Sequence, residues 1–129
     1  VIVDDGAGTR ALLQDTLRHH GFEVTTFGSA VEALAWIEAH RPDLVLMDLK
    51  PAGMSGLDAL ARLKASPKTA DIPVVIMTAS ATDPMGKRRQ ALAMGAADFF
   101  LKPFPLEEFV AAIRRLLGEP LEGESGNAG

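Results

Sequence analysis

Residues 1–13, VIVDDGAGTRALL, decide how this chain is read. An apolar triplet stops at two carboxylates, a glycine-bearing turn follows, and a helical pattern begins. Two chemistries compete for that turn. Gly6-Ala7-Gly8-Thr9-Arg10-Ala11 fits G-x-G-x-x-A, a loop that cradles a dinucleotide pyrophosphate at a helix N-terminus. Asp4 and Asp5 stand directly before it, and paired carboxylates repel an anion and attract a cation.

Three further apolar runs stop as abruptly: LVLM before Asp48, VVIM before Thr78 and FFL before Lys102. Helical periodicity fills the gaps between them. Ser29-Ala30-Val31-Glu32 reads as a capping box, and Ala30, Ala33, Leu34 and Ile37 then recur at i, i+3, i+4 and i+7. Ser55 and Asp58 start another helix, with Leu57, Leu60 and Ala61 on one face. Asp83-Pro84 reads as an N-cap and first helical residue. Pro105 opens the last helix, which carries Leu106, Phe109, Val110, Ile113 and Leu117 in one stripe. Glu23–Phe27 reads as a more polar strand, expected at a sheet edge. Strand and helix alternate five times, and the apolar strands lack period-two patterning. The class is therefore α/β, a doubly wound parallel sheet with helices on both faces.

Composition narrows the functions. The 129 residues suit one domain, expected over residues 1–117, with 118–129 (GEPLEGESGNAG) as a flexible tail or linker. A net charge of −4 argues against a nucleic-acid surface. The chain has no cysteine, which excludes disulfides, zinc–thiolate sites and thiol catalysis. No apolar run reaches membrane-spanning length and no signal peptide is visible, so a cytoplasmic protein that does not enter a membrane is expected. Val1 already lies inside an apolar run, so a few preceding residues are expected.

All strands of a parallel sheet end on one edge, where such folds bind ligands. Asp4, Asp5, Asp48, Thr78 and Lys102 should therefore converge. Singly, each has an ordinary explanation as a helix cap or a solvated lysine. At four strand ends together, a joint site is the better account. Two carboxylates about 4 Å apart repel by roughly 4 kcal/mol at an effective dielectric of 20, so three demand a cation or a shifted pKa. An all-oxygen set with no Cys, and no His at a strand end, suits Mg²⁺. A carboxylate beside Mg²⁺ and a lysine can attack phosphorus and form an aspartyl phosphate, with Thr78 bonding the phosphoryl group.

The ordered set VIVDD, LVLMD, VVIMTA and FFLKPF resembles the receiver domain of bacterial two-component response regulators, over residues 1 to about 117. The resemblance implies a chemotaxis-regulator-like, flavodoxin-like sheet of order 2-1-3-4-5. It implies Asp48 as phosphoacceptor, Asp5 as a direct Mg²⁺ ligand, Asp4 supporting the metal through water, and the Lys50 backbone carbonyl as a further ligand. Thr78 matches the switch hydroxyl, Lys102 the site lysine and Phe99 the switch aromatic, and Lys102–Pro103 should be cis. The implied partner is a sensor histidine kinase or phosphotransfer protein, with a phosphorylation-dependent homodimer through the fourth helix, fifth strand and fifth helix. The domain would be a signalling switch, not a metabolic enzyme; its chemistry would be its own phosphoryl transfer and slow hydrolysis. Two departures stand out. Pro51 comes one place earlier than the family's D-x-x-M-P-x-M-x-G pattern allows, although Met54 and Gly56 are kept. Gly6-Ala7-Gly8 replaces a segment that usually holds another acid, which thins the acidic cluster.

The dinucleotide reading fails on its second requirement. It needs an acid at the end of the second strand to hold a ribose, and Thr25-Thr26-Phe27-Gly28 stands there. It also leaves Asp48, Thr78 and Lys102 unexplained. Two alternatives stay open, a degenerate receiver serving only as an interaction module and a flavodoxin-like cofactor binder. His19, His20 and His40 close helices, where the dipole favours cations. Lys87-Arg88-Arg89 reads as a solvated face and Trp36 as packing.

Overall fold

The computed structural model describes residues 1–49, 54–79 and 83–118. Five strands, β1 (Ile2–Val3), β2 (Thr26–Phe27), β3 (Val45–Asp48), β4 (Val74–Thr78) and β5 (Asp98–Leu101), form one sheet. Its order is β2-β1-β3-β4-β5, and every pairing is parallel. The helices are α1 (Ala7–His19), α2 (Ala30–His40), α3 (Gly56–Ala65), α4 (Pro84–Ala93) and α5 (Leu106–Leu116).

Two apolar clusters explain the uniform hydrophobicity of the strands. Val3, Val45, Met47, Val74 and Ile76 join α2, α3 and Ala91 of α4 on one face. Ile2, Leu46, Val75 and Met77 join α1 and α5 on the other. Side chains alternate between faces as a strand requires, but both faces are covered, so alternation shows in destination rather than polarity. β2 is shorter than the expected Glu23–Phe27 because it pairs only with Ile2 and Val3 of β1. It does lie at the edge, as its polarity implied.

The caps divide. The Ser55 hydroxyl accepts from the Leu57 amide at 3.2 Å, and the Asp83 carboxylate accepts from the Gly86 amide at 3.1 Å. Ser29 stands at the N-cap of α2 but makes no side-chain capping bond, so the expected capping box does not form. Pro105 is the N-cap of α5, and Phe109, Val110, Ala112 and Ile113 of that helix are buried. Lys102–Pro103 is cis. Residues 119–129, most of the expected tail, lie outside the described residues.

Gly56 bears directly on the functional edge. A Cβ there would stand 2.2 Å from the Asp48 carbonyl oxygen and 2.8 Å from Leu49 Cα, both backbone atoms that cannot swing aside. The Gly56 amide also donates to the Leu49 carbonyl at 2.8 Å, tying α3 to the end of β3. Gly56→Ala is expected to cost about 1–3 kcal/mol, the usual range for overpacking. Urea unfolding would measure it, and a change under about 0.5 kcal/mol would show that the end of β3 yields freely.

Candidate functional site

The sheet brings Asp4, Asp48, Thr78 and Lys102 to its carboxyl-terminal edge from four strands. Asp48 and Thr78 are the last residues of β3 and β4, and both are buried. Lys102 follows β5, and its amide donates to the Thr78 carbonyl at 2.7 Å, so the β4–β5 ladder continues into the site. Asp4 follows β1 and donates its amide to the Phe27 carbonyl at 3.0 Å. Asp5, one residue on, is exposed at the rim of the same edge.

Side chains complete the cluster. Carboxylate oxygens of Asp4, Asp5 and Asp48 all lie within 4.8 Å of one another. Lys102 Nζ donates to Asp4 Oδ2 and stands 3.5 Å from Asp48 Oδ1. Asp4 Oδ1 accepts from the Gly6 amide at 2.8 Å, so both oxygens of Asp4 are engaged. Among the described residues, these three carboxylates surround the Lys102 ammonium, and the Arg10 guanidinium lies on the Asp4 carbonyl, so negative charge is still in excess. Asp4 is only 2% exposed and Asp48 7%, so water screens that imbalance poorly. The donor set and the charge deficit both fit a hard divalent cation.

Other sequence expectations fall elsewhere. Lys50 and the early Pro51 lie outside the described residues. Phe99 is already buried, in the cluster that holds Ala91 and Ala96. His20 and His40 bond the Thr16 and Trp36 carbonyls one turn back, and His40 stacks on Trp36 with ring centroids 4.3 Å apart. These are local helix contacts. Arg88 and Arg89 are exposed on α4.

Gly56, a kept position of the family's pattern after Asp48, packs directly on the end of β3. One site-building residue lies outside the sequence expectations: Arg10, whose Nη1 donates to the Asp4 carbonyl at 2.6 Å. Its signal was a cation in the first turn of a helix, where the dipole disfavours one.

The fold and site define a doubly wound α/β domain with an acidic, lysine-bridged centre at the ends of its strands. The family model for the response regulator receiver domain matches residues 1–114, and the chain belongs to that family. It is 37% identical over 127 residues to RpfG, a cyclic di-GMP phosphodiesterase response regulator of Xanthomonas campestris pv. campestris, covering 97% of this chain and 33% of RpfG. It is 34% identical to PhoB, the phosphate regulon transcriptional regulatory protein of Pseudomonas aeruginosa, over 97% of this chain and 54% of PhoB. The chain thus spans between a third and about half of these relatives. Among solved structures, a putative response regulator from Chloroflexus aurantiacus matches with a TM-score of 0.84 at 30% identity, over 92% of this chain and 95% of that one. The receiver domain of the sensor histidine kinase PA1611 from Pseudomonas aeruginosa, which has a magnesium ion coordinated in its active site cleft, matches with a TM-score of 0.81 at 27% identity, over 92% and 95%. No described helix is long and apolar enough to cross a membrane.

Proposed function

We propose that this domain is a phosphorylation-controlled switch in which Asp48 accepts a phosphoryl group from the phosphohistidine of a sensor kinase or phosphotransfer protein. One observation carries the reading: the Lys102 ammonium stands between Asp4 and Asp48 at the edge where the three carboxylates gather. An inert interaction module has no need of a buried, charge-deficient cluster, and a flavin or nucleotide binder would not surround its ligand's phosphates with carboxylates.

An Asp48 oxygen attacks phosphorus, the P–N bond to the donor imidazole breaks, and the leaving nitrogen takes up a proton. Lys102, placed by its backbone bond to Thr78, offers its ammonium to the incoming phosphoryl oxygens. The Thr78 hydroxyl is the second donor. Asp4, Asp5 and Asp48 would hold Mg²⁺, with the Lys50 carbonyl as the further ligand the resemblance implies. When bound, the ion supplies charge compensation for phosphoryl oxygens. Attack of water on phosphorus later returns Asp48 to its carboxylate and releases phosphate.

Mg²⁺ should raise the melting temperature by mass action, because a preformed acidic cluster binds it in the folded state. Asp5→Asn should lose most of that rise. Without metal the variant should melt no lower than wild type, since it carries one carboxylate fewer. Calorimetric melts with and without millimolar Mg²⁺ test this. A melt indifferent to Mg²⁺, together with no mass gain from acetyl phosphate and Mg²⁺, would return the domain to the degenerate class.

A further inference from the structure

The Asp4 carbonyl lies at the end of β1 in a residue that is almost wholly buried, and a buried carbonyl needs a donor. Arg10 supplies it from the first turn of α1, through Nη1 at 2.6 Å. That turn carries no acidic residue to offset the cation, so the placement disfavours the helix and is explained by the carbonyl. Gly28, just beyond β2, keeps the path clear: a Cβ there would stand 3.1 Å from Arg10 Nη1. The Gly6 amide meanwhile holds Asp4 Oδ1 at 2.8 Å. Asp4 is therefore gripped at its carbonyl by a side chain of α1 and at its carboxylate by the N-cap of the same helix.

We propose that Arg10 is a positioning residue for the acidic cluster, an inference that rests on the switch reading above. Its guanidinium fixes the Asp4 carbonyl, and with it the turn that aims Asp4 and Asp5 toward Asp48. The arrangement has a diagnostic sign. Arg10 is also a fixed positive charge near a cation site, so its charge alone opposes Mg²⁺ binding. Removing it should tighten binding if charge is its only influence and weaken binding if it positions the ligands.

Arg10→Met, Arg10→Lys and Gly28→Ala separate the two. Titrating Mg²⁺ alone by calorimetry, Arg10→Met should bind about tenfold more weakly, in line with the loss of an outer partner of a metal ligand. Arg10→Lys keeps the charge but lacks the planar fork, and should also bind more weakly. Gly28→Ala, which retains Arg10 but crowds it, should shift in the same direction by a smaller factor and serves if the Arg10 variants do not fold. In the metal-free protein, the Gly6 amide should exchange with solvent faster in Arg10→Met than in wild type. Unchanged or tighter Mg²⁺ binding by Arg10→Met overturns the proposal. Should wild type itself bind no Mg²⁺, the switch reading falls, and the metal-free Gly6 amide then decides Arg10: faster exchange upholds positioning, unchanged exchange overturns it.

Discussion

Asp48→Asn is expected to accept no phosphoryl group from acetyl phosphate with Mg²⁺, a fall of more than about 10³-fold in rate, the scale seen when an attacking nucleophile is removed. Asn keeps the shape of Asp but carries no anionic oxygen. The neighbouring carboxylates are poor substitutes. Asp4 accepts from the Gly6 amide on one oxygen and from Lys102 on the other, so its negative charge is already held by hydrogen bonds. Asp5 is exposed, and its charge is dispersed into water. Asp48 sits at the end of β3, in the middle of the sheet, with Lys102 Nζ 3.5 Å from Oδ1. The variant should melt at or above the wild-type temperature without metal, because one of three mutually repelling carboxylates is gone. Intact-mass spectrometry reads the modification directly. Equal mass gain in wild type and Asp48→Asn would move the acceptor elsewhere.

Most of the site's grouping is legible in the sequence, and the reason is topological. A parallel sheet converts four abrupt run-ends into one edge, so Asp4, Asp48, Thr78 and Lys102 needed no contact information to be grouped. The buried strands were recognisable for the same reason that their facing was not: with both sides covered, Val45 and Leu46 look alike in sequence but enter different clusters. Arg10 escaped because a hydrogen bond to a main-chain carbonyl leaves no residue-type partner to search for. Ser29 shows the opposite failure. Its spacing to Glu32 matched a capping box, yet local pattern does not oblige the side chains to close it, and the hydroxyl makes no capping bond. The switch role of Phe99 is implied by the resemblance alone; its burial depends on how α4 packs, which no local pattern encodes.

That packing governs how phosphorylation would leave the site, and Thr78→Ala is expected to separate acceptance of phosphate from its consequence. Lys102 is anchored, by its amide to Thr78 and by its ammonium to Asp4 and Asp48. The chain after Thr78 leads instead toward α4, entered through Asp83 in a left-handed conformation at φ 46°. α4 is lightly held: Ala91 is its one buried residue, against four in α5. A phosphoryl group that draws the Thr78 hydroxyl inward therefore works against a weak restraint. Because Phe99 already lies in the cluster with Ala91 and Ala96, the displacement would repack α4 on that ring. Met85, Leu92 and Leu101, exposed on α4 and β5, lie on the face that would be remodelled. Beryllofluoride should strengthen self-association or partner binding through this face by about 5- to 150-fold, the span of ordinary coupling energies. Thr78→Ala should still accept phosphate, more slowly, while its association stays within about twofold of the unmodified protein. Sedimentation with and without beryllofluoride, beside amide shifts along α4, β5 and α5, reads both halves. A Thr78→Ala protein that associates and shifts like wild type would mean that the signal leaves Asp48 by another path.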